Sequence, residues 1–225
     1  MKVIYEDNHL IIVNKACSEL VQGDKTGDES LIDKVKLYIK EKYNKPGEVF
    51  LGLVHRLDRP TSGLVILART SKALARMNKL FQEKKVIKKY WAVVDNAPPK
   101  KSDTITHFLK KNEKQNKSYV SDNQKSGSKE ARLSYKLLKS SDKYFLLEIE
   151  LHTGRHHQIR AQLGEIGCKI RGDLKYGFDR SNKDGGIHLH ARYLEFEHPV
   201  RKEVVKFTAN VPDDPLWKFF EADVA

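Results

Sequence analysis

The sequence has few cysteines and none of the usual metal-binding motifs. Only two of its 225 residues are cysteine, Cys17 and Cys168, and they lie far apart and outside any CxxC pattern. This spacing excludes a cysteine-based zinc site, and we expect two free thiols in a reducing compartment rather than a disulfide. His188 and His190 would share one face of a strand, but no HExxH motif or carboxylate cluster accompanies them. We therefore expect no bound metal.

Long apolar runs and a signal-peptide pattern are also missing. No hydrophobic stretch approaches the roughly 18 residues that a membrane-spanning helix needs. Residues 1–7 do not show the basic-then-apolar order of a signal peptide and are instead typical of a strand. The sequence contains neither a GxxxxGK[ST] phosphate loop nor a GxSxG nucleophile elbow. We expect a cytoplasmic protein without a membrane partner.

The chain carries an excess of positive charge. Lysine and arginine number 42 against 30 aspartate and glutamate, which gives a formal net charge of +12 at pH 7. Such a balance favours a polyanionic partner, above all a nucleic acid. The alternative is a lysine-rich surface that serves only solubility. At 39% hydrophobic and 32% charged residues, the composition is that of a globular protein of one large domain or two closely joined subdomains.

The hydrophobic patterns predict more strands than helices, without regular alternation between them. This indicates an α+β protein with a mixed, largely antiparallel sheet flanked by helices and loops. A polar stretch at about 112–129 is interpreted as a mobile hairpin tip or insert. We predict strands over 2–5, 9–15, 63–68, 91–94, 131–138, 144–151, 188–198 and 204–208. We predict helices over 30–43, 71–84 and 155–166, and a final short helix that starts at 212–215.

One nine-residue string, HRLDRPTSG at 55–63, carries a candidate catalytic carboxylate. Arg56 and Asp58 are two positions apart, so on an extended segment they point to the same side. Pro60 ends that segment, and Gly63 supplies backbone freedom where the chain re-enters a strand. A bare Arg-x-Asp is more often a surface ion pair. No second acid suited to a paired-carboxylate hydrolase lies near Asp58 in the sequence.

Two further segments suit contacts with RNA. The first, LHTGRHHQIRAQ at 151–162, predicts a strand, a turn and a helix whose N-terminus would offer N–H groups to phosphate, with Arg155 and two histidines beside it. The alternative is that these basic residues form a solvated face of the helix. Arg160 lies on a different part of the predicted helix and would point inward. The second, KKYWA at 88–92, sets basic residues beside rings that stack on bases. Its alternative is a core or rim position for Tyr90.

Together these three segments resemble the RluA-type pseudouridine synthases. The string at 55–63 matches that family's signature, and residues 4–15, 89–94, 153–160, 168–177 and 189–191 match further parts, so the resemblance covers nearly the whole chain except 112–129. It implies a single catalytic domain over 1–225, of two subdomains with the active-site cleft between them. It also implies isomerisation of uridine in RNA to pseudouridine, without cofactor or metal.

The resemblance also implies roles for individual residues. Asp58 would be the catalytic residue, Tyr90 would lie against the target base, and Arg160 would pair with the Asp58 carboxylate, a pairing that would keep it ionised and oriented. Arg56 would enter the RNA helix when the uridine is flipped out, since a stacked base is inaccessible. Substrate-binding roles are carried over to Arg56, His55, Arg155 and Leu189.

Two departures from the family pattern affect the substrate prediction. A Lys-Pro-x-Gly loop is usual after the second strand, but this chain has Lys15-Ala16-Cys17-Ser18. The resemblance therefore does not predict the shape of this loop or some of its contacts with RNA. Many relatives carry an N-terminal RNA-binding S4 domain, for which this sequence has no room. We expect a monomer that recognises RNA through its catalytic domain, with tRNA slightly preferred over ribosomal RNA. The alternative function is a non-catalytic RNA-binding protein that retains the fold.

Overall fold

The chain folds into two units in the computed structural model, which describes residues 1–23, 27–121, 123–124, 126–222 and 224. The first unit comprises Met1–Ile87 and Ala191–Asn210, and the second comprises Lys88–His190 and Val211–Ala225. The strands are, in chain order, β1 Lys2–Glu6, β2 Leu10–Lys15, β3 Gly52–Leu53, β4 Ser62–Ala68, β5 Ile87–Val94, β6 Ser102–Asn112, β7 Lys117–Ser121, β8 Lys129–Ser140, β9 Phe145–Leu151, β10 Leu189–Glu197 and β11 Val204–Thr208. The helices are α1 Leu31–Lys42, α2 Ser71–Gln82, α3 Gln158–Glu165 and α4 Pro215–Glu221, with a 3-10 turn at Leu174–Tyr176.

The first unit is built around strands that are apolar on both faces. Its strands lie in the order β1-β2-β4-β10-β11, and β3 also pairs with β4. All seven residues of β4 are buried, because α2 packs on one side of the strand. The predicted apolar stripe of α2 is confirmed, with Met77 fully buried and Leu74, Leu80 and Phe81 packed around the same core. This core supports the segment that carries Asp58, immediately before β4.

The second unit contains the strand order β5-β9-β8-β6-β7, in which successive strands are antiparallel. One face of the β5–β9 end is covered by α4, where Trp217 and Phe220 pack on Trp91, Val93 and Leu146. At the other end of this order, α3 lies against β6 and β7, and Ala161 packs on Leu109 and Ala131. The α+β prediction is confirmed.

Two predicted elements differ from those observed. The polar stretch at 112–129 includes the return strand β7, which forms a hairpin with β6; residues 122 and 125 within it lie outside the described part. The helix expected over 155–166 begins only at Gln158, because His157 has a left-handed backbone with φ of 53°. None of the helices in the described ranges has both the length and the apolar character needed to cross a bilayer.

Candidate active site

Asp58 lies in a partly buried turn between β3 and β4. The Thr61 backbone N–H donates to the Asp58 carbonyl oxygen at 3.0 Å, and this hydrogen bond closes the turn. Leu57 and Thr61, which are buried, hold the turn on either side of the half-buried Asp58. The chain then enters β4 through Gly63, whose φ is 114°. The Asp58 carboxylate is therefore carried by a segment with fixed ends.

Lys15 anchors this turn from the end of β2. Its ammonium donates to the carbonyl oxygens of Ala16 at 2.8 Å, Glu19 at 2.9 Å and Arg59 at 3.0 Å. The side chain is almost completely buried, and burial lowers the pKa of Lys15 to about 8. The Arg59 guanidinium in turn donates to the Ser18 carbonyl oxygen at 3.1 Å. The loop that departs from the family pattern is thus fastened to the residue that follows Asp58.

His55 and Arg56 have different surroundings. The His55 Nε2 accepts a hydrogen bond from the Ile66 backbone N–H at 3.1 Å, and its ring stacks on Phe81 at 5.2 Å. Nε2 must therefore be unprotonated, which places the proton of a neutral ring on Nδ1. Arg56 is exposed to solvent. The structure ties His55 to the core of the first unit, while the substrate-binding roles of both residues stay predictions.

Tyr90 lies in β5 of the second unit, directly opposite Ile149 of β9, and is 8% exposed. Lys88 is two positions earlier and therefore on the same face of the strand. Burial lowers the pKa of the Lys88 ammonium. A Cβ at Gly154 would lie 4.0 Å from the Lys88 Nζ, so this lysine reaches the turn that precedes α3. A buried ring and a partly desolvated cation thus share one strand face.

Arg160 is buried in α3 and forms a two-bond ion pair with Asp173. Its Nε donates to the Asp173 Oδ2 and its Nη2 to Oδ1, both at 2.7 Å. The two side chains are 5% and 1% exposed. The expectation that Arg160 points inward is confirmed. Its pairing with Asp58, which belongs to the other unit, stays a prediction.

The start of α3 bears on the predicted phosphate site. His157 is buried, and its Nδ1 lies 3.0 Å from the Tyr176 hydroxyl. Burial, reinforced by the positive charge of Arg160, lowers the pKa of His157 to about 2. His157 is therefore neutral at pH 7 and adds no positive charge for phosphate binding. Arg155 is exposed, and its Nε donates to the Glu130 carbonyl oxygen at 2.8 Å.

The candidate residues are divided between the two units. Those of the first unit are His55, Arg56 and Asp58, and those of the second are Tyr90, Arg155, Arg160 and the buried Leu189. The sequence analysis missed two charged residues, Lys15 and Asp173. Both lie in strings that match the family, but the spacing alone does not show which groups they contact.

The thiols and potential metal ligands were also placed by the structure. Cys17 and Cys168 are not joined in a disulfide. Within the described ranges, no group of three or more His, Cys, Asp or Glu residues is arranged to hold a metal ion.

Comparison with known proteins places the chain among RNA-modifying enzymes. The family model described as RNA pseudouridylate synthase matches residues 9–165. The ribosomal large subunit pseudouridine synthase C of Rickettsia prowazekii is 36% identical over 216 residues, which cover 93% of this chain and 68% of that protein. The ribosomal large subunit pseudouridine synthase D of Zymomonas mobilis is 29% identical over 225 residues, which cover 95% of this chain and 70% of the relative.

A solved structure shows the same fold. The human RNA pseudouridylate synthase domain containing 4 superimposes with a TM-score of 0.81 at 24% identity, over 97% of this chain and 91% of that one. The extent of the family match and the identity to the Rickettsia protein agree with the signature string around Asp58. The chain belongs to the RNA pseudouridylate synthase family and is an RNA pseudouridine synthase, an enzyme that isomerises uridine in RNA.

Proposed function

We propose that Asp58 is the catalytic residue of this chain and that its substrate is a uridine of large-subunit ribosomal RNA. The observation that carries the proposal is the setting of Asp58, a half-buried carboxylate in a turn closed by Thr61 and anchored by Lys15. A turn held in this way fixes the backbone that carries the carboxylate, and positioning of a catalytic group toward a reacting nucleotide supplies a large part of enzymatic rate enhancement.

The isomerisation exchanges one bond to the ribose for another. The bond between C1′ and N1 of uracil breaks, the base turns, and a bond forms between C1′ and C5. The C5 proton leaves and N1 gains a proton, so atoms and charge balance without a redox partner. Asp58 acts at the sugar or at the base, as nucleophile or as base.

Two residues of the second unit complete the proposed machinery. Tyr90, in the middle of β5, packs against the target base and is available for proton transfer. Arg160 is a buried guanidinium, which would favour the ionised form of Asp58 on pairing with it. Arg56 is exposed and replaces the flipped uridine in the RNA stack. The remaining proposed substrate-binding residues are His55, Arg155 and Leu189.

The ribosomal substrate is supported by the names of the relatives. Both bacterial relatives described above are named as synthases of the ribosomal large subunit. Their names favour ribosomal RNA over tRNA, the class that the sequence analysis slightly preferred. The net charge of +12 suits either substrate. We further propose that the protein works as a monomer in the cytoplasm.

The test compares Asp58→Asn with wild type on RNA from cells that lack this gene. Wild type is expected to form pseudouridine in large-subunit ribosomal RNA, measured by nucleoside mass spectrometry and mapped by sequencing. Asp58→Asn preserves shape but removes the charge, and its rate should fall on the order of a thousandfold or more. Asp142→Asn, at an exposed turn residue, is the matched control and should keep the wild-type rate.

Three outcomes would contradict parts of this proposal. If wild type binds RNA but forms no pseudouridine in any cellular RNA, the protein is a non-catalytic RNA-binding protein. If Asp58→Asn is as active as wild type, Asp58 is not the catalytic residue. If product forms only in tRNA, the enzyme assignment stands and the ribosomal substrate is wrong.

A further inference from the structure

We propose that Asp173 is a positioning residue, which acts by fixing the Arg160 guanidinium in one orientation, with the Tyr176 ring as its second support. This inference rests on the proposed function, since it assumes that Arg160 serves the reaction. Asp173 itself is not proposed to touch the substrate.

The ion pair between Arg160 and Asp173 has a two-bond geometry. Two parallel hydrogen bonds of 2.7 Å join the Nε and Nη2 edge of Arg160 to both carboxylate oxygens of Asp173. Such a pair fixes the plane of the guanidinium as well as its distance, which a single hydrogen bond does not do. The Nη1 end is the part of the guanidinium that Asp173 does not engage. The pair therefore determines where that end points.

Both partners of this ion pair are buried. Arg160 and Asp173 are 5% and 1% exposed, so both charges have been removed from water at considerable cost. Buried ion pairs of this kind often contribute no more stability than well-packed apolar residues of similar size. Stability alone is therefore a weak reason for placing an arginine here. A need for a correctly oriented, permanently charged group explains the pair better.

The centre of the Tyr176 ring lies 5.1 Å from the Arg160 Cζ. The Tyr176 hydroxyl accepts from the Ser118 N–H at 2.9 Å and donates to the Ser118 carbonyl oxygen at 3.2 Å, which fastens the ring to β7. A cation over an aromatic face gains electrostatic energy, especially when it is desolvated. Arg160 is thus held along one edge by a carboxylate and over one face by a ring.

Both supports come from one short turn. Asp173 precedes the 3-10 turn that ends at Tyr176, and the Tyr176 backbone N–H donates to the Asp173 carbonyl oxygen at 3.1 Å. Gly172 and Gly177 flank the turn with φ values of 89° and 92°, a conformation that side chains rarely adopt. The local backbone thus presents the carboxylate and the ring together to α3. A purely structural role for the pair would be to fasten this turn to α3, and kinetics can separate the two roles.

The kinetic test is a double-mutant cycle of Asp173→Asn and Arg160→Gln, measured as kcat and KM on the RNA that wild type modifies. Asp173→Asn should lower kcat roughly 10- to 100-fold, the scale expected for a displaced group, with KM within about threefold of wild type. In the Arg160→Gln background, Asp173→Asn should lower kcat less than about threefold further, because its effect passes through Arg160.

The matched control is Asp95→Asn. The Asp95 Oδ1 accepts from the Lys169 N–H at 2.9 Å and so secures the same chain segment without an arginine partner. An asparagine oxygen can accept the same bond, so kcat should stay within about threefold of wild type. Thermal unfolding of all variants shows whether they are folded at the assay temperature.

A second readout does not depend on activity. The Arg160 Nε–H group is expected to be rigid in wild type and mobile in Asp173→Asn, with the NMR order parameter falling from about 0.85 to below about 0.6. A wild-type order parameter in Asp173→Asn would overturn the inference. So would a wild-type kcat in that variant, or an equal loss of kcat with and without Arg160. Absence of product from wild type would instead overturn the proposed function, while the order parameter still decides whether Asp173 positions Arg160.

Discussion

At the scale of single residues, His157 is the buried imidazole whose protonation the fold opposes most clearly. Burial is the largest cause of its lowered pKa of about 2, and the positive charges of Arg160, Lys175 and Lys111 and the neighbouring His156 act in the same direction. An unfolded histidine takes up a proton near its ordinary pKa of about 6.5. The stability that the neutral ring contributes is therefore complete above that pH and is lost progressively as the pH falls below it.

We predict that His157→Asn makes unfolding less sensitive to acid. Asparagine tolerates the left-handed backbone at this position and does not titrate. Between pH 7 and pH 5, wild type should lose about 2 kcal/mol more of its free energy of unfolding than the variant. Urea unfolding at pH 7, 6 and 5 measures the difference, and other buried histidines such as His188 and His198 contribute equally to both proteins. Identical pH dependence in the two proteins would show that His157 is readily protonated in the fold.

The role or orientation of an individual residue could be predicted from the sequence where its neighbours in the chain form a recognisable string. The nine residues around Asp58 identified a candidate carboxylate, and the position of Arg160, a turn and a half along the helix predicted over 155–166, indicated that it could point inward. The Asp173 carboxylate was not predictable as the partner of Arg160, because the pair depends on how a turn folds back onto α3. The neutral state of His157 likewise depends on burial that no local pattern reveals.

At the scale of elements, the approach of β4 to β10 depends on Gly63. Its φ is 114°, and an added Cβ would lie 2.4 Å from the Ala191 carbonyl oxygen and 2.5 Å from the Ala191 backbone nitrogen. Backbone atoms in a sheet cannot move aside as the end of a flexible side chain can. Gly63→Ala should therefore destabilise the protein by about 3 kcal/mol or more, measured by urea unfolding.

Gly47→Ala is the matched control for this substitution. Gly47 has no atom within 4 Å of an added Cβ, apart from its own neighbours in the chain, and its φ is not in the left-handed range. This variant should remain within about 0.5 kcal/mol of wild type. Equal stability of the two alanine variants would mean that β4 and β10 are not packed as closely as the structure has them.

Elements with strong hydrophobic periodicity were predicted best. The apolar stripe of α2 and the apolar runs of β2 and β4 can be recognised from the sequence of each segment alone, because each element buries a continuous face. In contrast, β6 and β7 are rich in polar residues and were missed as strands. The pairing of β7 with β6 and of β6 with β8 determines their structure, and such long-range contacts cannot be recognised in a window of ten residues.

At the scale of the whole molecule, the proposed catalytic residues come from different units. Asp58 belongs to the first unit, while Tyr90 and Arg160 belong to the second. Each unit has its own buried core, so the proposed catalytic groups are supported by separate sets of packed residues. Composition and periodicity predicted the fold class and the charge of the partner. Only the resemblance to a family connected these distant residues, because their separation in sequence exceeds any local pattern.

The excess of positive charge leads to a prediction about RNA binding. With a net charge of +12, the protein should bind RNA largely through phosphate contacts, which release counterions. We expect the logarithm of the binding constant to fall with the logarithm of the salt concentration at a slope of about −4 or steeper, which corresponds to roughly five neutralised phosphates. Fluorescence anisotropy with labelled ribosomal RNA fragments at several KCl concentrations measures this slope, with Asp58→Asn preventing turnover. A slope shallower than about −2 would mean that stacking and base contacts, rather than a broad basic surface, supply most of the affinity.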